Sequence, residues 1–178
     1  IWFACACMPG MQAAVASTSD AKLYWGDNFY TQIERSDTDG ANPEVVVNVI
    51  ANGPSLFIDS VNGHLYWDHF NGSTISRIYR SNLDGSNTTL INESSDRFVG
   101  GITLDYANNK LYWTNYDSDE ILRSNLDGSS IETVISSGLT TPEGITIDPV
   151  ENKLYWVDGG RDWIRRSDLD GGNVETVL

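Results

Sequence analysis

Short stretches in which apolar and polar residues alternate follow one another along most of this chain. In its last part these stretches occupy residues 144–148, 153–157, 163–167 and 173–178. Alternation with β-branched residues is typical of strands that bury one face. Turn formers separate the stretches, as at Pro149 and at Asp170-Gly171, where glycine supplies the positive φ of a tight hairpin. We therefore predict four short antiparallel strands in this part of the chain.

The same pattern occurs four times. A Lys/His-Leu-Tyr-Trp segment lies on the second strand of each copy, and an Arg-Ser-x-x-Asp-Gly segment joins the third strand to the fourth. The tryptophans are 42 to 46 residues apart and the closing glycines 43 to 45, so two unrelated motifs keep one period. A period in the low forties with four strands per unit predicts an all-β fold, a β-propeller of four-stranded antiparallel blades. The expected blades are residues 17–50, 51–94, 95–138 and 139–178.

The aromatic motif has the versions YWGD, YWDH, YWTN and YWVD, and each is followed by I-x-R-S-x-x-D-G. This combination resembles the YWTD repeat of the low-density-lipoprotein-receptor family, also called the class B repeat, over residues 20–178. The resemblance implies a six-bladed β-propeller, of which four repeats are present here. We therefore expect either a fragment of a six-bladed ring or an oligomer that closes the ring. In the resembled family, one face of the propeller binds protein ligands.

The repeated motif residues are predicted to be structural, because every blade boundary presents the same gap and large aromatic side chains fill it. The aromatic members are Tyr24, Trp25, Tyr66, Trp67, Tyr112, Trp113, Tyr155 and Trp156. The fourth motif position holds Asp27, His69, Asn115 and Asp158, and the third strand supplies Arg35, Arg80, Arg123 and Arg166. Because a partly buried guanidinium needs an acceptor, we predict that the arginines pair with the fourth-position residues.

Aspartates also recur at two turns of the repeats. One set precedes the closing glycine and comprises Asp39, Asp84, Asp127 and Asp170; the other ends the first strand and comprises Asp59, Asp105 and Asp148. The first set superficially resembles a calcium loop, but the further ligands and the closing glutamate of an EF-hand are missing. The preference of Asp-Gly for tight turns explains the first set. The second set recurs at the same position in three repeats, which favours a structural role for it too. We therefore predict no metal site and no cofactor.

The formal net charge of −14 disfavours binding to nucleic acids or anionic membranes and would allow basic ligands or calcium. Sequence motifs for a nucleophilic, zinc-dependent or phosphate-binding enzyme are absent, so we predict a binding module that recognises a protein or peptide. Two alternatives remain open. One is a calcium-dependent, lactonase-like hydrolase on a propeller scaffold, and the other is a structural secreted or matrix protein.

Residues 1–16 carry no charge, and Ala14-Val15-Ala16 has the form of a secretory cleavage site. We predict that residues 1–16 are a truncated signal peptide and that the protein is extracellular or secreted, or is the ectodomain of a membrane receptor. The alternative is that residues 13–17 form the inner strand of the first blade. This segment is too short to span a membrane, and no membrane span is predicted in the chain.

Loops after the second and fourth strands of a blade share one face of a propeller, and here they vary between repeats. Variable loops on a rigid scaffold commonly carry function, so we predict the ligand-binding face there. Its candidate residues are Phe29, Tyr30, Phe70, Tyr116, Asp117, Asp158, Asp162 and Trp163. The alternative is that these aromatic residues only pack the loops. Three glycosylation sequons begin at Asn71, Asn87 and Asn92.

Overall fold

A computed structural model of the chain describes residues 13–15, 21–27, 31–48, 55–70, 75–95 and 98–178. Within these ranges the strands form four antiparallel sheets of four, each built from consecutive strands. The first sheet contains β1 (Ala13–Val15), β2 (Lys22–Asp27), β3 (Gln32–Asp37) and β4 (Glu44–Asn48). The second contains β5 (Leu56–Asp59), β6 (His64–Phe70), β7 (Ser76–Asn82) and β8 (Thr89–Ser94).

The third sheet contains β9 (Val99–Asp105), β10 (Lys110–Asn115), β11 (Glu120–Asn125) and β12 (Glu132–Ile135). The fourth contains β13 (Pro142–Asp148), β14 (Lys153–Asp158), β15 (Trp163–Asp168) and β16 (Glu175–Thr176), with a 3-10 turn at Gly159–Arg161. The prediction of an all-β chain with four strands per repeat is confirmed. The chain divides into two compact units, Ile1–Glu93 and Ser94–Leu178, which are described separately below.

The pairing of β1 bears on the predicted signal peptide. Ala13 lies opposite Trp25 and Val15 opposite Leu23, so residues 13–15 form the inner strand of the first sheet. This is the alternative that the sequence left open for the segment. Cleavage after Ala16 would remove β1, and the signal peptide stays a prediction.

Recurring aspartates organise the turns. Oδ1 of Asp39 accepts a hydrogen bond from the backbone N–H of Ala41, and Asp170 accepts one from Gly172, each at 2.9 Å. The glycine that follows has a φ of 84° at Gly40 and 87° at Gly171, as the sequence predicts for an Asp-Gly hairpin. Aspartates at the end of the first strand act similarly, since Asp105 accepts from the N–H groups of Ala107 and Asn108 at 3.0 and 3.1 Å. The carboxylates of these aspartates therefore stabilise the turns in which they lie.

Within each unit, the motif aromatic residues lie between neighbouring sheets. In the first unit, Tyr24 of β2 packs in one cluster with Trp67 of β6, with 1% and 2% of their surfaces exposed. In the second unit, Tyr112 of β10 packs in the same way with Trp156 of β14. Successive residues of a strand point to opposite faces. Tyr24 and Tyr112 accordingly pack against the following sheet of their unit, and Trp67 and Trp156 against the preceding one. The structure places these side chains where the repeat predicts.

The third motif position of the second repeat holds a buried carboxylate. Asp68 occupies the third motif position, is 5% exposed and accepts a hydrogen bond from the backbone N–H of Ser55. Burial raises the pKa of Asp68 to about 7. The folded protein therefore holds a proton that the unfolded chain releases near pH 4, and stability is lost as the pH rises from about 4 to about 7.

We expect Asp68→Asn to remove this pH dependence. Its amide oxygen keeps the acceptor for Ser55 without a buried charge, so the free energy of unfolding at about pH 8 should increase by up to about 4 kcal/mol. Urea denaturation at several pH values between about 5 and 8 measures the effect. Asp84→Asn is the control, because the Ser86 hydroxyl lowers the pKa of Asp84. Equal stabilisation by both substitutions would contradict the prediction.

Candidate functional site

A tyrosine and an arginine of one sheet bind a single main-chain carbonyl of the next sheet within each unit. In the first unit, the Tyr24 hydroxyl and Nη1 of Arg35 donate to the carbonyl oxygen of Leu83 at 3.1 and 3.0 Å. In the second unit, Tyr112 and Arg123 donate to the carbonyl oxygen of Leu169 at 3.0 and 3.2 Å. We call this arrangement the carbonyl clamp. It fixes one sheet to the turn between the third and fourth strands of the next sheet.

The same turn approaches the outer strand of the preceding sheet so closely that only glycine fits. A Cβ atom on Gly85 would lie 2.1 Å from the carbonyl oxygen of Val46, and one on Gly171 would lie 2.2 Å from that of Val134. Both glycines also have φ above 80°, in the left-handed region. The Leu-Asp-Gly turn therefore supplies an acceptor for the clamp and a flat surface for the neighbouring strand.

The predicted pairing of the arginines with the fourth motif residues is wrong for three of the four repeats. Arg35, Arg123 and Arg166 instead form ion pairs with glutamates nine residues further on, Glu44, Glu132 and Glu175, at 2.6–2.8 Å. The strand register explains the difference, because each arginine lies directly opposite the motif tyrosine, as Arg123 does opposite Tyr112. The recurrence of Arg with Glu at this spacing was the signal in the sequence that would have identified the partner.

The second repeat departs from this pattern. Arg80 lies opposite Tyr66, but Thr89 stands where the other repeats have glutamate. Burial raises the pKa of Tyr66, and the Arg80 charge opposes that rise. His69, in the fourth motif position, contacts the ring of Tyr79 edge-on at 6.0 Å. The residue that corresponds to His69 in the third repeat is Asn115, which is 3% exposed.

Some of the predicted site residues cannot be placed. The Asp27 side chain and Phe29, Tyr30 and Asn71 lie outside the described structure.

Three loops of the second unit meet at one end of its two sheets. Oδ1 of Asp119, in the β10–β11 loop, accepts from the N–H of Thr141 at 2.6 Å. Oδ1 of Asp158 accepts from the N–H of Thr140 at 2.8 Å, and the N–H groups of Gly159 and Gly160 donate to the carbonyls of the same two threonines. We call residues 116–119, 138–143 and 158–163 the loop cluster. It brings together the variable loops that the sequence assigned to one face.

An exposed tryptophan lies on the loop cluster beside two arginines. Trp163 is 40% exposed, and the guanidinium carbons of Arg161 and Arg165 lie 5.3 and 5.8 Å from its ring centre. Both arginines donate to the carbonyl of Gly138 and form ion pairs with Asp158 at 3.5 and 3.2 Å. Because the two guanidinium groups share these partners, they lie close together beside the Trp163 ring. Neither arginine belongs to the predicted site, although basic residues are rare in this chain, which has only 11 Lys and Arg residues.

The other candidate ligand-binding residues differ in accessibility. Asp117 and Asp162 are exposed, and Tyr116 is half-buried with its ring edge-on to Phe98 at 6.3 Å. Asp158 is fully buried and Phe70 is 9% exposed. These two residues therefore do not form part of an exposed recognition surface. Asp158 orders the loop cluster from inside, and Phe70 belongs to the core of the first unit.

The remaining predictions concern modification, metals and membranes. Asn87 is exposed in a turn and Asn92 is half-buried on β8. Among the described residues, no group of three or more His, Cys, Asp or Glu side chains is placed to hold a metal ion. The described part of the chain contains no helix with the length and hydropathy of a membrane span.

Comparison with known proteins supports the repeat assignment. A family model for the low-density lipoprotein receptor repeat class B matches residues 109–149. Protein cueball of Drosophila yakuba is 33% identical over 98 residues, which is 53% of this chain and 15% of that protein. The vitellogenin receptor of Solenopsis invicta is 30% identical over 105 residues, 58% of this chain and 6% of that receptor. The tyrosine kinase ROS of Gallus gallus is 33% identical over 98 residues, 53% of this chain and 4% of the kinase. The chain thus spans a small part of these relatives.

Solved structures share the fold at low sequence identity. Nidogen, in a complex with laminin, superposes with a TM-score of 0.78 at 23% identity, covering 87% of this chain and 58% of that one. Regucalcin of Agrobacterium tumefaciens gives a TM-score of 0.73 at 15% identity, covering 96% and 61% of the two chains. A gluconolactonase of Xanthomonas campestris gives 0.72 at 19% identity, covering 87% and 57%. Residues 109–149 therefore match a class B repeat of the low-density lipoprotein receptor family, and the chain has the strand arrangement of a β-propeller fold.

Proposed function

We propose that this chain is an extracellular binding module that recognises a protein or peptide through the loop cluster of its second unit. One of the relatives is a vitellogenin receptor, and nidogen was crystallised with a protein partner, laminin. These likenesses support protein recognition and an extracellular location, with which the sequons at Asn87 and Asn92 agree.

The observation that carries the proposal is the exposure of Trp163 on a well-ordered set of loops. Large aromatic residues and arginine are enriched among the residues that dominate binding energy at protein interfaces. Trp163 lies against the guanidinium groups of Arg161 and Arg165, and the loops beneath it are joined through Asp119 and Asp158. A partner would therefore meet an aromatic surface that loses little conformational freedom on binding.

Selection from a library of random peptides displayed on phage tests this proposal. We expect selected peptides to bind the intact chain and to lose about 30-fold or more in affinity with Trp163→Ala, the loss typical of a dominant interface residue. Tyr106→Ala is the matched control, because Tyr106 is 44% exposed in the β9–β10 turn, at the opposite end of the third sheet. Peptides that bind the Trp163 variant as tightly as the intact chain would contradict the proposal.

The calcium-dependent hydrolase is the second candidate, because regucalcin, a calcium-binding protein, and the gluconolactonase share the fold. Calorimetric titration with calcium separates the two functions. Tight binding of one ion per chain would favour the hydrolase, and peptide binding that is independent of calcium would favour the binding module.

A further inference from the structure

The turn between the third and fourth strands carries a left-handed residue at the same place in all four sheets. These residues are Asn42, Asn87, Ser130 and Asn173, with φ between 52° and 55°. Asparagine tolerates this backbone conformation because its short polar side chain can hydrogen-bond locally. All four residues are exposed. The accessibility of this position is therefore a property of the repeat and does not depend on its place in the chain.

The side-chain amide of Asn87 differs from its equivalents in its contacts. In the first and fourth repeats, the amide nitrogen of the equivalent asparagine donates to the aspartate that ends the third strand, at 2.7 and 2.6 Å. The second repeat has Asn82 in place of this aspartate, and Asn82 donates to the Ser86 hydroxyl at 2.9 Å. Within the described part of the chain, the Asn87 side chain has no hydrogen-bond partner. Its amide nitrogen is therefore free to react.

Asn87 begins an acceptor sequence for N-linked glycosylation, Asn-Thr-Thr, and its last residue also departs from the repeat pattern. Thr89 stands where the other three repeats have the glutamate that forms an ion pair with the third-strand arginine. Thr89 is exposed, and its hydroxyl lies 3.4 Å from the carbonyl oxygen of Arg80. The second repeat therefore has the hydroxyl of an acceptor sequence in place of a recurring ion-pair residue.

The acceptor sequence that begins at Asn92 lies in different surroundings. Asn92 is on β8, seven residues after the turn glycine, and is half-buried. The residues at this position in the first and third repeats are Val47 and Ile135, and both pack in the apolar clusters between neighbouring sheets. An oligosaccharide at Asn92 would therefore disturb packing, whereas one at Asn87 would extend from an exposed turn.

We propose that Asn87 carries an N-linked oligosaccharide and that Asn92 does not. Nδ2 of Asn87 loses one proton and forms a bond to the anomeric carbon of the first sugar. The bond from that carbon to a lipid pyrophosphate donor breaks, and the lipid pyrophosphate is the leaving group. The modification rests on the extracellular location proposed above, because the donor and the transferring enzyme belong to the secretory pathway. It does not depend on the loop cluster.

Glycopeptide mapping of the full chain, produced in insect cells behind an added signal sequence, tests the modification. Asn87 and Asn92 lie on one tryptic peptide, residues 81–97. Peptide N-glycosidase in heavy-oxygen water converts a glycosylated asparagine into a labelled aspartate, and fragmentation of the peptide locates the label. We expect the label at position 87 in most chains and unchanged asparagine at position 92. Medium and cell lysate are both analysed, so that chains retained in the cell are included.

Three variants provide the controls. Asn87→Gln and Thr89→Ala should each lose one glycan in gel electrophoresis, and Asn92→Gln should migrate like the unmodified chain. Because Thr89→Ala keeps the asparagine, an equal loss in both variants assigns the glycan to this acceptor sequence. An unlabelled position 87 in the unmodified chain would overturn the proposal, as would equal labelling of positions 87 and 92. The peptide selection described above uses chain made in bacteria without this glycan, so either proposal can fail without the other.

Discussion

Trp156→Ala is expected to lower the free energy of unfolding of the second unit by about 3–5 kcal/mol, the usual cost of truncating a buried tryptophan. Trp156 is 1% exposed and packs in one cluster with Tyr112 and Ile121 of the preceding sheet. Its indole Nε1 has no hydrogen-bond partner within the described structure, so the loss comes from packing between the sheets. Urea denaturation followed by far-ultraviolet circular dichroism measures it.

Trp163→Ala is the matched control for this prediction. Trp163 belongs to the same sheet, but it is 40% exposed and contacts mainly the arginines of the loop cluster. Its replacement should cost less than about 1 kcal/mol, as is usual for an exposed position. Equal losses for the two tryptophans would mean that the motif indole has no special part in joining the sheets.

Gly85→Ala should be the most damaging of the small substitutions. The new methyl group would stand 2.1 Å from the Val46 carbonyl oxygen, and the residue would keep a φ of 82° that costs about 1–2 kcal/mol for an L-amino acid. Displacing the turn from the neighbouring strand adds about 1–3 kcal/mol. The sum, about 2–5 kcal/mol, corresponds to a fall in Tm of roughly 4–20 °C for a chain of this size.

Gly63→Ala separates the two contributions. Gly63 lies in the same sheet with a φ of 73°, and nothing stands within 4 Å of its Cβ position. Only the backbone cost of about 1–2 kcal/mol should appear there. Differential scanning calorimetry of both variants gives the comparison. A Gly85 variant that melts at the temperature of the Gly63 variant would show that the close approach to Val46 is not maintained in solution.

The repeat made the fold predictable in unusual detail. Because two motifs share one period, the sequence predicted the number of strands per unit, the Asp-Gly turns and the position of the motif aromatic residues between sheets. It did not predict the partner of Arg123, because the choice between Asn115 and Glu132 depends on which residue the strand register places opposite the arginine. Register is a property of paired strands, and a single strand does not reveal it.

The candidate site was only partly predictable for a similar reason. Because the strands of a sheet alternate in direction, the sequence correctly assigned the loops near Tyr116 and Trp163 to one end of the sheets in the second unit. It could not show that Asp158 turns inward to bind Thr140, or that Phe70 is buried, because burial depends on contacts with other loops. The roles of Arg161 and Arg165 could be recognised only in the structure. Both bind Gly138, which is distant from them in the sequence, and Asp158, whose burial the sequence does not reveal.

A double-mutant cycle between Tyr112 and Trp156 tests most directly whether the motif residues of neighbouring repeats hold the sheets together. Tyr112→Leu, Trp156→Phe and the combined variant are compared by urea denaturation, with Tyr112→Leu and Trp163→Phe as the control pair. We predict a coupling free energy of about 0.5–3 kcal/mol for Tyr112 with Trp156, and additivity within about 0.5 kcal/mol for the control pair. Additive effects of Tyr112→Leu and Trp156→Phe would contradict the arrangement of aromatic residues between the sheets.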